Sequence, residues 1–190
     1  MVLRSTLFVM LAIAVANGCA TRAAPEAEAI RAGYRTDPTE RLFVPSVQAA
    51  CAPPDGWSME PLKQSKNHTH QVWLSPTGST AYGVIRFSLP LPVGPETVLY
   101  FFLREMRNSE GEARLISKRR DPALKGLRFV AEGGKYTVRT NLTTKGFRGW
   151  AIYAGTRRDR EILPSELAMA ELARENTETG VDANSAAAKP

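Results

Sequence analysis

Apolar residues fall along this chain in three rhythms. The first is unbroken: Leu7 to Ala16 is a continuous apolar run behind the positive start Met1-Val2-Leu3-Arg4. It suits the hydrophobic region of an export signal and falls short of the roughly 20 apolar residues a spanning helix needs. No later run approaches that length. The second rhythm is alternation. Ala81, Gly83, Ile85, Phe87 and Leu89 share one face of an extended segment, and Tyr82, Val84, Arg86 and Ser88 share the other. Gln71-Val72-Trp73-Leu74 reads as the strand before it. Ser75-Pro76-Thr77-Gly78 lies between them, with Pro second and Gly fourth as a type I turn prefers. The third rhythm is helical. Leu99, Phe102, Leu103 and Met106 recur at helix spacing after Pro95 and Glu96, and Gly111 ends the segment. Ala168, Met169, Leu172 and Ala173 repeat the pattern after Pro164 and Ser165.

Short strands fill the remainder at 113–118, 127–131, 136–140 and 147–153, with Gly133-Gly134 and Lys145-Gly146 as turns. Strands joined by short turns pair antiparallel. The expected fold is α+β: one domain, a mainly antiparallel sheet of about six strands, two covering helices. Trp57, Trp73 and Trp150 read as core. The expected organisation is a signal peptide at 1–18, a tether at 19–40, the α+β domain at 41–175 and a disordered tail at 176–190. Residues 20 to about 40 carry Ala, Glu, Arg, Thr and Pro without an apolar stripe, as a tether does.

Ala16-Asn17-Gly18-Cys19-Ala20 resembles the lipobox of bacterial lipoproteins, in which a small residue precedes a cysteine that is diacylated and becomes the new N-terminus. Gly18 fits that pattern; Ala16 replaces the usual leucine. The resemblance implies lipid attachment at Cys19 and a membrane partner reached through that lipid. Ala20, not being aspartate, implies the outer membrane, facing the periplasm. A second reading is open: Ala14-Val15-Ala16 is an A-x-A site for ordinary signal peptidase. Cleavage there leaves a soluble periplasmic or secreted protein in which Cys19 and Cys51 can pair. Farther along, Pro54-Asp55-Gly56-Trp57, Ser75-Pro76-Thr77-Gly78, Gly126-Leu127-Arg128-Phe129 and Gly146-Phe147-Arg148-Gly149-Trp150, followed by the terminal helix, give an order of elements similar to the PsbP-like α/β/α sandwich group. That resemblance covers about residues 53–175 and implies a non-catalytic domain.

Charge narrows the partners. The chain carries 25 Lys and Arg against 19 Asp and Glu, net +6, and only Arg4 precedes Cys19. From Asp159 onward the balance is −4, so residues 19–158 hold about +9. A basic body favours anionic surfaces such as lipid headgroups, polyanionic glycans or an acidic protein. An exported protein seldom meets nucleic acid, so no nucleic-acid partner is expected. Lys118, Arg119 and Arg120, with Arg157 and Arg158, are the expected contacts to an anionic partner; a solvated surface paired with Asp121, Asp159 and Glu161 is the plainer reading.

Signatures of catalysis do not assemble. The G-x-S-x-G, H-E-x-x-H, G-x-x-x-x-G-K-[ST] and G-x-G-x-x-G patterns do not occur in the sequence. His68 and His70 share a strand face and would need a third ligand to hold a catalytic zinc; only Asn67 is near in sequence. A metal-dependent enzyme built on them is the least supported reading, and no cofactor is expected. Cys51 shows no accompanying base pattern for a catalytic thiol. The function expected is a non-enzymatic binding or accessory domain at the cell envelope.

Overall fold

The computed structural model describes residues 41–180. The signal peptide, Cys19, the tether and residues 181–190 lie outside the described residues.

The alternating segment around Tyr82 is the middle of the fold. It forms β6 (Thr80–Ser88), paired on one side with β5 (His68–Leu74) and on the other with β10 (Arg148–Arg157). From β10 the sheet continues through β9 (Tyr136–Lys145), β8 (Gly126–Gly133) and β7 (Ala113–Asp121). At its other edge lie β3 (Ser58–Met59) and β4 (Lys63–Gln64), both paired to β5. Pro61 falls between them and cannot donate to a ladder, so they are one edge strand broken in two. β1 (Leu42–Val44), β2 (Ala49–Cys51) and β11 (Glu178–Thr179) make a second, three-stranded sheet. All pairings in both sheets are antiparallel.

The class is α+β, in one domain with two helices among the described residues. The expected strand count was too low: eleven strands lie among the described residues, in two sheets. Those missed are two or three residues long, too short to show a period. The tail expected from residue 176 also begins too early. Thr179 pairs with Ala49, and the Gly180 N–H donates to the Gln48 carbonyl at 2.9 Å, so the chain stays in the fold through Gly180.

Helix α1 (Pro95–Glu110) opens with Pro at its start, where the missing N–H costs nothing, and closes at Gly111 with φ +81, a left-handed value glycine adopts freely. Helix α2 (Pro164–Asn176) also opens with Pro. The two helices lie on opposite faces of the large sheet, as consecutive residues of β10 show. Trp150, Ile152 and Ala154 pack with Ala170 and Ala173 of α2, with Val44 and Cys51 of the small sheet and with Val47 of the turn between β1 and β2. Ala151 and Tyr153 point the other way, into the layer that holds Val98, Leu99 and Met106 of α1 with Leu127, Phe129 and Leu142. The helices are also offset. α1 lies over β7, β8 and β9, whereas α2 lies mainly over β6 and β10. That offset leaves the β7–β8 half of the α2 face without a covering helix, and the candidate site lies there.

Candidate functional site: an arginine-lined cleft beside helix α2

Register decides which side chains reach the cleft. Directly opposed residues in an antiparallel ladder share a face. Arg119 of β7 opposes Arg128 of β8, Arg128 opposes Asn141 of β9, and Val130 opposes both Ser117 and Arg139. All six stand on the α2 side. Arg174 and Glu175, at the end of α2, close the wall. The cleft has a volume of about 280 Å³, and Arg119, Arg128, Arg139 and Arg174 are among its lining residues.

Carboxylates hold three of these guanidiniums in place. Arg128 Nε donates to Asp121 at 2.6 Å and its fork reaches Glu175 at 3.7 Å. Arg139 pairs with Glu171 at 3.3 Å. Arg174, 7% exposed, donates to the Asn141 amide oxygen and to Glu171. Burial pushes the Asp121 carboxyl up, but the Arg128 hydrogen bond and the amides of Leu124 and Ala123 outweigh it and hold the group below the usual aspartate range. Arg119 is different. It is exposed, it faces Arg128 directly, and none of the ion pairs among the described residues includes it. Like charges directly opposed across a ladder repel. An anion lying between Arg119 and Arg128 removes that repulsion and uses guanidinium geometry suited to phosphate or carboxylate.

The sequence-predicted basic residues divide. Lys118 and Arg120 oppose Phe129 and Leu127 on the α1 side, and both reach Glu96, at 2.8 and 3.8 Å. The Lys118 hydrogen bond holds Glu96 below its ordinary value. Arg119 alone of that triplet puts its charge into the cleft. The cause is a bulge: the register shifts between Leu115 and Ser117, and the extra residue Ile116 inverts the face of everything after it. Arg157 and Arg158 are elsewhere. Arg157 pairs with Asp159 at 2.6 Å, while Arg158 donates to Glu112 at 3.2 Å and to the Gly133 carbonyl at 2.7 Å. The structure does not gather the five expected contacts into one patch. Arg128, Arg139 and Arg174 were missed because they are spread over 46 residues and meet only through register and the docking of α2. Their trace in the sequence is the polar face of the β8–β9 hairpin.

The histidines share a strand face but not an environment. His68 is exposed, with Nδ1 at 2.7 Å from the Ser65 hydroxyl. His70 is partly buried, with Nε2 at 2.7 Å from the Tyr153 hydroxyl. Burial first, then the charges of Lys63 and His68, pushes His70 down to about 4, so its imidazole is neutral at pH 7. The Tyr153 ring lies over Gly83, where a Cβ would approach it to 2.5 Å; glycine is required for that contact.

Cys51 is fully buried in the layer between the small sheet and the large one. Its thiol donates weakly to the Ala49 carbonyl, and burial, opposed by a hydrogen bond with Tyr82, pushes it up to about 12. A neutral, sealed thiol is a core residue. No helix among the described residues is long and apolar enough to cross a membrane.

Comparison with known proteins adds little to this picture. No family model matches the chain, and no curated protein does. Among solved structures, a crystal structure from Bacteroides thetaiotaomicron VPI-5482 is similar at a TM-score of 0.36 and 13% identity. The match spans 73% of this chain and 47% of that one, so the chain corresponds to less than half of the neighbour's length.

Proposed function

We propose that this protein is a non-enzymatic binding domain of the bacterial cell envelope, tethered at the outer membrane by lipid on Cys19, which engages an anionic partner through the arginine cleft. The observation that carries the binding role is Arg119, unpaired and directly opposite Arg128 at the mouth of a concave site. The tethered reading gains support from Cys51. In that reading Cys51 stays a free thiol, and it lies fully buried among apolar neighbours. A metal-dependent role for His68 and His70 is disfavoured because each imidazole already faces a hydroxyl.

A photo-crosslinking residue at Ser117, inside the cleft, tests the binding role in cells. The expected result is an adduct to an anionic envelope component that weakens with added salt, as screened contacts do. Arg119→Glu is expected to lower its yield about tenfold, the scale of one lost charge-assisted contact. Arg120→Glu, which faces α1, should leave the yield unchanged. Equal yields from the parent and Arg119→Glu would remove the cleft from the proposal.

A further inference from the structure

Two large apolar side chains project from the end of the sandwich at which β9 turns into β10. Leu91 is 66% exposed and Phe147 is 59% exposed. They belong to separate loops, and the Leu89 N–H donates to the Phe147 carbonyl at 2.8 Å, holding the loops side by side. Phe147 follows Gly146, φ +60, in the two-residue turn of the β9–β10 hairpin, where a polar residue would serve the turn equally well. Leu91 lies in a bend between Pro90 and Pro92, whose fixed φ angles restrict the backbone on both sides of it. Loops ordered beforehand lose little freedom on docking.

Cations gather at the same end. Lys145 and Arg148 flank the Phe147 turn, and both are exposed. Lys66 is exposed in the β4–β5 turn, which the Ser88 N–H holds against the end of β6 by donating to the Asn67 carbonyl at 2.9 Å. Lys125 is exposed in the β7–β8 turn, and Gly126 after it pairs with Thr143 near the end of β9. The carboxylates of the neighbouring β7 end and α1 start are already held, Asp121 by Arg128 and Glu96 by Lys118.

We propose that this tip docks on an anionic phospholipid bilayer, with Leu91 and Phe147 entering the boundary between headgroups and acyl chains while Lys66, Lys125, Lys145 and Arg148 face lipid phosphates. Exposed apolar side chains within a basic surround are the composition that binds such an interface. The chain outside the described fold agrees with this placement. Residues 19–40, at about 3.3–3.6 Å each, could span at most roughly 75 Å. A lipid on Cys19 would hold the domain near a membrane without orienting it, and the tip supplies the orientation. β1, where that segment joins the fold, leads into the turn whose Gln48 accepts from Arg148 at 3.1 Å.

The test uses residues 19–190 with Cys19→Ser, so that no lipid contributes and the anchor is not itself on trial. Co-sedimentation is measured with vesicles of phosphatidylglycerol and phosphatidylcholine, and with phosphatidylcholine alone. The expected result is binding to the anionic vesicles that falls with salt and is several-fold weaker on neutral ones. The double change Leu91→Ser and Phe147→Ser should lower it about tenfold, the scale of two withdrawn apolar side chains, with circular dichroism unchanged because both positions are exposed. Lys145→Gln with Lys66→Gln should lower it on anionic vesicles only. Failure of the parent to bind anionic vesicles, or undiminished binding by the serine double variant, would overturn the proposal, as would a tip that cross-links to protein while ignoring vesicles.

Discussion

Trp150→Ala is expected to cost about 3–5 kcal/mol, the range for deleting a large buried aromatic side chain. Trp150 is 4% exposed near the start of β10 and joins two layers. Its ring fills the space between the large sheet, the small sheet and Gly180, and its indole N–H donates to the Val47 carbonyl at 2.9 Å. Alanine leaves both a cavity and an unpaired carbonyl. Trp150→Phe keeps most of the volume and loses the hydrogen bond, so about 1–2 kcal/mol should go. Urea denaturation reads both: the midpoint should fall, more for alanine than for phenylalanine, at unchanged slope. An alanine variant within about 1 kcal/mol of the parent would show that the small sheet does not depend on this contact.

Glu166→Gln should be the second large loss, and its size should depend on pH. Glu166 is 4% exposed in the first turn of α2, where the helix dipole favours a negative charge. Its carboxylate accepts from the Thr77 hydroxyl at 2.7 Å, the Ser79 hydroxyl at 3.1 Å and the Thr77 N–H at 3.3 Å. Burial pushes the group up, but the hydrogen bonds from Thr77, Ser75 and Ser79 outweigh it, so it lies below the ordinary glutamate value of 4.5. A depressed folded-state value means the stabilisation is fully present above the unfolded value and is lost as pH falls through the folded one. At pH 7 the glutamine variant should be about 2 kcal/mol less stable, the scale of hydrogen bonds to a buried charge. That gap should narrow below pH 4.5. A gap independent of pH would mean that the carboxylate charge contributes nothing there.

These two residues were legible to different degrees. The alternation of Tyr82, Val84 and their neighbours identified β6, and the spacing of Leu99, Phe102, Leu103 and Met106 identified α1, because each period runs over several residues. Trp150 read as core from its place on a strand. Glu166 did not stand out: its partners lie 87 and 89 residues earlier, in a turn read only for its backbone. β1, β2 and β11 were hidden for a related reason, since Ala49–Cys51 becomes a strand only through partners at both ends of the fold. The cleft shows the limit most clearly. Lys118, Arg119 and Arg120 look equivalent along the chain. A bulge at Ile116 and the offset of two helices determine that only Arg119 puts its charge beside Arg128.

Cys19 is where the membrane placement can be tested most directly. The measurement is the intact mass of the mature protein, taken together with its partitioning between detergent and water. The expected result is residues 19–190 carrying acyl groups on Cys19, with Cys51 as a free thiol, in the detergent phase. Residues 17–190 with an unmodified Cys19, recovered in the aqueous phase, would contradict the tethered reading.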